Sequence, residues 1–348
     1  MDVDGKTFRT VFFLGAGASR GAISHVVLRR KRIKAPLNGD FFKVASTYAR
    51  ALGRNSQAQR RLRRIQDVFE RDLPIHLPTM EDAFSLLYVA KDFPEIYNRG
   101  RGRRAVAGVR KELSDLVNLL FPILTLLDEL AEPPTGYDRL ATTLTEGDTI
   151  ITLNYDTMVD SALHRHGWDP KVGYAITGDA NKKVNWEALV VPRPLTVDLL
   201  KLHGSVNWFV RGNSSKLQKV FESKPVRITA PRTNSIAGFI RQIVPPMYGK
   251  VFEHDHWRQL WTRSFQALCK ADVLVVIGSS LIDTDFHLRA LLSQVARTRK
   301  KQSNKFKYVY LVDRAKVRNK WARVLRGSYN KLIADKTFEK FLHDRLGA

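Results

Sequence analysis

Four short segments combine small, polar and titratable residues where apolar runs end, and such residues could bind a nucleotide and move a proton. The first is Gly15-Ala16-Gly17-Ala18-Ser19, directly after the apolar run Thr10–Leu14. Glycines at a strand-to-helix turn let the backbone approach a pyrophosphate, and the first N–H groups of the helix can bind it. A tight turn also favours glycine for steric reasons alone, so this segment by itself is compatible with either role.

The first segment departs from the fingerprint of dinucleotide-binding dehydrogenases. Arg20 stands where the third glycine of that fingerprint belongs, and Gly21 comes one position late. No acidic residue ends a second strand about 20 residues further on, because Asp40 lies in a turn-like stretch. Hydride transfer is therefore disfavoured.

The second segment is Asn154-Tyr155-Asp156, between the apolar run Thr149–Leu153 and a predicted helix from Thr157 to His166. Polar side chains at the carboxyl ends of parallel strands point into the ligand crevice of a doubly wound sheet. Asn and Asp are also good helix caps. A cap needs only one such residue, and the presence of two favours a binding or catalytic site.

The third and fourth segments follow two further apolar runs. His203 comes directly after Leu199–Leu202, and a histidine, with an ordinary pKa of about 6.5, suits proton transfer near neutral pH, although a lone histidine at such a place is more often structural. Gly278-Ser279-Ser280 follows Val273–Ile277 and could hydrogen-bond a ribose or a phosphate. The alternative for the fourth segment is a plain helix start capped by Asp283 or Thr284.

The apolar runs themselves predict buried strands of a parallel sheet, because they are rich in β-branched residues and end next to polar residues or glycine. The predicted strands are Thr10–Leu14, Thr149–Leu153, Leu199–Leu202, Val273–Ile277 and Tyr308–Val312.

The intervening positions complete the predicted fold. Apolar residues in positions 41–140 recur every three or four residues, which indicates an inserted helical subdomain, with a kink or break at Pro122 in the helix Asp115–Leu130. Positions 168–198 and 209–250 carry several prolines, and we predict loops around the site there. The predicted fold is α/β, a Rossmann-like doubly wound parallel sheet formed by residues 1–40 and 141–348, with the helical insertion at 41–140.

The composition excludes several classes of protein. The 348 residues are 44% hydrophobic, which is enough to build a core. The longest apolar stretch, Leu116–Leu127, is shorter than the roughly 18 residues of a membrane span, and the acidic start Met1-Asp2-Val3-Asp4 is unlike a secretory signal, so we expect a cytoplasmic protein with no membrane partner. The single cysteine, Cys269, excludes a Cys₄ zinc site. His254 and His256 do not face each other on a helix, so we expect no metal.

The charge is strongly positive and clustered. There are 58 Lys and Arg residues against 34 Asp and Glu, which gives a formal charge of +24. Such clusters bind phosphate backbones or acidic partners, and they also serve as solvated faces. We expect at least one cluster to meet a nucleic acid or an acidic protein. The clusters lie at Arg29–Lys34, Arg60–Arg64, Arg101–Arg104 and Arg297–Lys301.

The four segments, taken in order, resemble the sirtuin-like superfamily, whose pattern runs Gly-Ala-Gly-x-Ser, Thr-x-Asn-x-Asp, His-Gly and Gly-x-Ser-Leu. The ordered set covers most of residues 10–313 and is far more specific than any one motif. In detail the chain looks like bacterial sirtuin-like domains of anti-phage defence systems, which typically hydrolyse NAD. The details that carry this likeness are Pro36-Leu37 before Asp40-Phe41-Phe42, Trp208 after Leu202-His203-Gly204-Ser205, and Asp283 and Asp285 after Ser279 and Leu281.

The resemblance implies an NAD⁺ glycohydrolase that releases nicotinamide and ADP-ribose, with NAD as substrate and no metal. It implies that Asn154 holds the ribose or positions water, that Asp156 holds the nicotinamide carboxamide and that His203 is the general base. In the implied binding set, the pyrophosphate is cradled by Gly15, Ala16, Gly17 and Ser19. Phosphate or adenosine ribose binds to Ser279 and Ser280, and the adenosine hydroxyls bind to Asp313. This set is Gly15, Ala16, Gly17, Ser19, Gly278, Ser279, Ser280 and Asp313.

Two departures separate the chain from protein-deacylating sirtuins, which carry a four-cysteine zinc ribbon and a Gly-Ile-Pro-Asp-Phe-Arg stretch. Cys269 alone cannot form the ribbon, and Arg20-Gly21-Ala22-Ile23-Ser24 replaces the stretch. A deacylase is thus the first alternative, and a nucleic-acid-binding or sensor module with a regulatory or inactive NAD pocket is the second. Because unrestrained NAD hydrolysis harms the host, the resemblance implies control by homo-oligomerisation or by a partner such as an ATPase or an Argonaute-like protein.

Overall fold

The chain folds into strands and helices in the computed structural model, which describes residues 2–3, 6–72, 78–95, 103–176, 184–186, 188–211, 219–221, 235–236, 239–250, 252, 255–313, 317–335 and 337–346. The strands are β1 Asp2–Val3, β2 Lys6–Thr7, β3 Thr10–Leu14, β4 Val26–Leu28, β5 Lys31–Ile33, β6 Thr149–Thr152, β7 Val184–Asn185, β8 Asp198–Lys201, β9 Gly204–Arg211, β10 Lys219–Phe221, β11 Ser235–Ile236, β12 Phe239–Ile243, β13 Val273–Ile277, β14 Phe306–Val312 and β15 Tyr329–Asp335. The helices are α1 Ala16–Ala22, α2 Phe41–Leu52, α3 Gln57–Asp72, α4 Met80–Asp92, α5 Arg103–Leu130, α6 Gly136–Ala141, α7 Met158–Arg165, α8 Pro170–Gly173, α9 Asp255–Lys270, α10 Phe286–Lys301, α11 Arg318–Leu325 and α12 Phe338–Phe341.

A six-stranded, fully parallel sheet forms the centre of the protein, in the order β15-β14-β13-β3-β6-β8. Counted along the chain, the order is that of a doubly wound sheet, whose two halves run outward from the neighbouring strands β3 and β13. Every residue of β3 and β13 is buried, because helices cover both faces of the sheet. The prediction of an α/β, Rossmann-like fold is confirmed, and the reversal between β3 and β13 is where such sheets open a ligand crevice.

A second, five-stranded sheet stands where the sequence predicts loops. Its order is β11-β12-β9-β10-β7, and β9 pairs antiparallel with both β10 and β12. The prediction of loops over 168–198 and 209–250 is wrong at these strands, since most of them are too short to leave a periodic pattern in the sequence. The sheet matters for the site because β9 begins directly after His203 and pairs Gly204 with Ile243, the last residue of β12.

The helices between β3 and β6 pack against one another, as the three- and four-residue spacing predicts. Of the kink or break predicted at Pro122, the break does not occur, because α5 runs through this residue from Arg103 to Leu130, and the kink stays a prediction. Phe121 and Ile123 on either side are buried, and their packing offsets the cost of proline inside a helix. The buried core runs from the sheet into these helices without a gap, so the domain division at residues 40 and 141 stays a prediction. None of the helices in the described ranges is both long and apolar enough to cross a bilayer.

Candidate functional site

A cavity of about 610 Å³ opens at the carboxyl ends of the parallel strands. The carboxyl ends of parallel strands share one edge of a sheet, and this edge brings together side chains that are far apart in the sequence. The cavity wall includes every site residue singled out from the sequence, whereas the roles of these residues stay predictions. They are Asn154, Asp156, His203, Gly15, Ala16, Gly17, Ser19, Gly278, Ser279, Ser280 and Asp313.

The glycines of the first and fourth segments interlock at the floor of the cavity. The Gly15 N–H donates to the Ile277 carbonyl at 2.9 Å, and the Gly17 N–H donates to the Gly278 carbonyl at 2.9 Å. Gly278 has a φ of +62°, and a Cβ there would lie 2.0 Å from the nitrogen of Ala18. The steric explanation therefore accounts for these glycines, and the N–H groups of Gly15 and Gly17 are already used within the protein.

Asn154 is held in a fixed orientation by a small polar network. Its amide nitrogen donates to the Gly15 carbonyl at 3.0 Å and to the Ser19 hydroxyl at 2.9 Å. The Ser19 hydroxyl in turn donates to Asp156 Oδ2 at 2.8 Å and lies 3.0 Å from the Tyr137 hydroxyl. Because Asn154 gives both amide hydrogens to the protein, its side chain can bind a ligand only by accepting a hydrogen bond through its oxygen.

Asp156 is buried and lines the cavity together with Asn154. Its Oδ2 accepts from Ser19, and its Oδ1 accepts the Met158 N–H at 3.2 Å at the start of α7. Burial raises the pKa of Asp156, while the nearby Lys201 and the Ser19 hydroxyl oppose that rise. Only 4% of the residue is exposed. Oδ2 thus belongs to the Asn154 network, whereas Oδ1 binds the backbone at the start of α7.

A buried lysine stabilises the loop that carries Asn154 and Asp156. Lys201, the last residue of β8, donates to the Asp156 carbonyl at 2.6 Å and to Asp160 Oδ2 at 2.8 Å. Neither the Lys201 nor the Asp160 side chain is exposed, and the Tyr174 hydroxyl donates to the other oxygen of Asp160 at 2.5 Å. Sequence reasoning missed this role, although a lysine inside an otherwise apolar strand is a signal, since a buried charge requires a partner.

His203 has an acidic and a basic neighbour. Its Nε2 lies 3.2 Å from Asp285 Oδ2, close enough for an ion pair although out of line for a hydrogen bond. Lys250 Nζ lies 3.1 Å from the same oxygen. Burial would raise the pKa of Asp285, but His203 and Lys250 together hold it below its usual range. All three residues line the cavity.

Asp285 also caps the helix that follows the fourth segment. Its Oδ1 accepts the Leu288 N–H at 3.2 Å, so the alternative in which Asp283 or Thr284 caps this helix is wrong. Asp283 instead pairs with Lys320 at the surface at 2.9 Å, and the Thr284 hydroxyl donates to Glu81 at 2.6 Å. The loop before α10 therefore gives each of its polar residues a different partner.

The remaining candidates follow the strands β13 and β14. Ser279 is buried, and its carbonyl accepts the Trp321 indole N–H at 3.0 Å, whereas Ser280 is exposed. Asp313, at the end of β14, is half-buried. The Gly278 N–H donates to the Val312 carbonyl at 3.0 Å and fixes this turn to the end of β14. Ser280 and Asp313 are thus the more open polar groups among these candidates.

The basic clusters are less uniform than the sequence suggests. Arg299 is fully buried, donates to the carbonyls of Leu268, Cys269 and Ala271, and lies 3.7 Å above the Phe306 ring. It therefore belongs to the core and not to a binding face, since its donors cap the end of α9.

Other arginines of the basic clusters also have structural partners or lie outside the residues that the structure describes. Arg61 and Arg64 pair with Asp115 at 3.3 and 2.7 Å. Arg101, from the third cluster, lies outside the described residues. So does His254, one of the two histidines considered for a metal site. Within the described ranges, no three His, Cys, Asp or Glu side chains converge on a place for a metal ion.

Comparisons with known proteins give one family and several related folds. The family model for the SIR2-like domain matches residues 148–330. No curated protein sequence gives a significant match. Two of the similar solved structures are Sir2Tm bound to a propionylated peptide (TM-score 0.44, 13% identity, 97% of this chain and 93% of the other) and a Sir2 homologue in complex with NAD (TM-score 0.39, 14% identity, 92% and 89%).

Proposed function

The chain belongs to the SIR2-like domain family, and from this premise we propose that it is an NAD⁺ glycohydrolase that releases nicotinamide and ADP-ribose. Membership supports a sirtuin-type, NAD-binding function in general. The observation that carries the more specific proposal is the placement of His203 and Asn154 on one cavity, together with the other residues predicted to bind NAD.

The reaction breaks the bond between nicotinamide and C1′ of the ribose, with positive charge developing on the sugar. The Asn154 oxygen, fixed by the two amide donations, holds a ribose hydroxyl or a water molecule. His203 takes the proton from the attacking water or from a ribose hydroxyl, and such acid–base help contributes roughly 10²–10⁴-fold to a rate. Ser280 and Asp313 hold the adenosine side of NAD, and nicotinamide leaves with the electrons of the broken bond.

The test is nicotinamide release from NAD by the purified chain, with and without nucleic acid or a neighbouring gene product. We expect His203→Ala and Asn154→Ala to lower the rate at least about 100-fold. His343→Ala is the matched control, because the His343 side chain is 83% exposed and its ion pair within the described residues is with its chain neighbour Asp344. Nicotinamide release by His203→Ala at the wild-type rate would contradict the mechanism.

Protein deacylation is the alternative that the family leaves open. Hydrolysis needs only water and NAD, whereas deacylation needs an acylated lysine. A rate of nicotinamide release that is unchanged by acyl-lysine peptides supports the glycohydrolase, and release that depends on the peptide supports the deacylase. The single cysteine of the sequence favours hydrolysis, since a four-cysteine ribbon cannot be built from it.

We further propose that this activity depletes NAD in anti-phage defence and is held off until a partner or self-association releases it. The high positive charge supports an acidic partner or a nucleic acid as the trigger. Within the cluster at 297–301, Arg297, Lys300 and Lys301 are exposed. Reversing these three charges, with Arg299 left intact, is expected to weaken triggering and to leave the folded protein stable.

A further inference from the structure

We propose that Lys250 and Asp285 are positioning residues that set the charge of His203, because the lysine and the histidine share one carboxylate oxygen. Lys250 offsets the negative charge of Asp285, so removing the lysine favours the protonated form of His203, which cannot accept a proton. The kinetic part of this inference rests on the proposed function, whereas its spectroscopic part does not.

The geometry places the lysine and the histidine against the same carboxylate oxygen. Asp285 Oδ1 is occupied by the Leu288 N–H, so Oδ2 is the atom that both His203 Nε2 and Lys250 Nζ approach, at 3.2 and 3.1 Å. The side chains of the three residues are only 5–6% exposed. Charges in such a place are weakly screened by solvent, and a neighbouring charge shifts a titration by roughly one to three pH units.

Lys250 is the last residue of an irregular segment, residues 244–250, that is hydrogen-bonded to residues around the site. The Val244 N–H donates to the His203 carbonyl at 2.9 Å, and the Tyr155 hydroxyl donates to the Val244 carbonyl at 2.7 Å. Further along, the Tyr248 N–H donates to the Ser85 hydroxyl of α4 at 2.8 Å. The segment is therefore anchored on the strand-end loops and on the helical insertion, which holds Lys250 in place.

The other charged and titratable groups around His203 do not replace Lys250. Glu81, from α4, lines the same cavity and adds negative charge. The Tyr155 ring stacks on the His203 ring. Burial raises the pKa of the Tyr155 hydroxyl, the charges of Asp285 and Glu81 raise it further, and the hydroxyl therefore stays neutral. Burial also lowers the pKa of His287, against the effect of Asp285. Without Lys250, Asp285 and Glu81 would favour a protonated His203, which cannot act as a base.

The test follows the His203 ring by NMR in protein carrying ¹³C-labelled histidine, with the signal identified by its loss in His203→Asn. We expect Lys250→Met to move the titration midpoint upward by about one pH unit or more, and Asp285→Asn to move it downward. Lys250→Arg should restore the wild-type midpoint. Lys307→Met is the matched control, because Lys307 pairs with Asp272 at 3.0 Å and is absent from the cavity wall.

In the kinetic measurement, Lys250→Met should move the acid limb of the kcat profile for nicotinamide release to higher pH. The variant should therefore be slower than wild type near neutral pH and should recover its rate at alkaline pH. Asp285→Asn keeps an oxygen for the helix cap and should move that limb to lower pH. A loss of packing alone would lower the rate at every pH. Midpoints that stay within about 0.3 units of wild type, or that move in the same direction in both variants, overturn the inference.

The two measurements separate the two proposals. If wild type releases no nicotinamide under any trigger while the midpoints move in opposite directions, the charge relation stands and the glycohydrolase fails. If nicotinamide is released and the midpoints do not move, the glycohydrolase stands and the role of Lys250 fails. Asp285→Asn supplies an independent measurement should Lys250→Met be unfolded by circular dichroism.

Discussion

The substitution Gly278→Ala tests whether the interlocked loops hold the cavity open. Gly278 has a φ of +62°, and a Cβ would lie 2.0 Å from the Ala18 nitrogen and 2.2 Å from the Gly17 carbonyl carbon. These are backbone atoms, which cannot rotate away as a side chain would. The turn after β13 must therefore move away from the start of α1.

The expected cost has two parts. Placing alanine in the left-handed region costs about 1–2 kcal/mol. Moving the turn also strains the bonds from Gly15 to Ile277 and from Gly17 to Gly278, both 2.9 Å long, and each such bond contributes about 0.5–1.5 kcal/mol. We expect Gly278→Ala to lower the free energy of unfolding by about 2–5 kcal/mol.

Gly327→Ala is the matched control, because Gly327 has a φ of +73° and a methyl group there would meet no atom of the described residues within 4 Å. It should cost only the conformational part, about 1–2 kcal/mol. Equilibrium urea unfolding followed by tryptophan fluorescence measures both values. The reasoning is refuted if Gly278→Ala costs no more than Gly327→Ala, or if it costs more and leaves NAD binding unchanged.

Three further substitutions test buried charges by urea unfolding. Lys201→Met should cost about 3–5 kcal/mol, because it leaves the buried Asp160 carboxyl group without its ion-pair partner, and adding Asp160→Asn should recover part of that loss. Burial raises the pKa of Asp128 to about 7, so between about pH 4 and about pH 7 the native state holds a proton that the unfolded state releases. The free energy of unfolding should therefore fall as pH rises through that range, and Asp128→Asn should flatten the dependence. Arg299→Met should cost at least about 2 kcal/mol through its lost carbonyl bonds, whereas the exposed Lys300→Met should change stability by less than about 0.5 kcal/mol.

The central sheet could be predicted from the sequence because its inner strands are buried on both faces. Thr10–Leu14 and Val273–Ile277 are continuous apolar runs, and the structure gives strands with those bounds. The edge strand Tyr329–Asp335 could not be predicted in this way, since it pairs on one side only and none of its residues from Tyr329 to Ala334 is buried. An exposed edge strand needs no apolar run, and its sequence therefore carries little signal.

The cavity wall could be predicted for a related reason. A turn that follows a buried strand must lie at the sheet edge, so Asn154, His203 and Ser279 are placed by the strands before them. The direction of each side chain is a different matter, because it depends on partners from elsewhere in the chain. Asp156 turns toward Ser19, and sequence spacing contains nothing that distinguishes this orientation from one toward a ligand.

Lys250 shows the limit of such reasoning most clearly. It lies seven residues past the end of β12 at Ile243, and it reaches His203 only because β9 and β12 pair and return the segment 244–250 to the cavity. The sequence segments that predict a nucleotide site therefore supply the proposed base and the proposed oxygen acceptor, while the charge proposed to act on the base comes from a part of the chain without a motif. The motifs do not contain this lysine, so Lys250→Met leaves the whole pattern at His203 and Asn154 in place, and its pH dependence should nevertheless differ from that of wild type by about one unit or more.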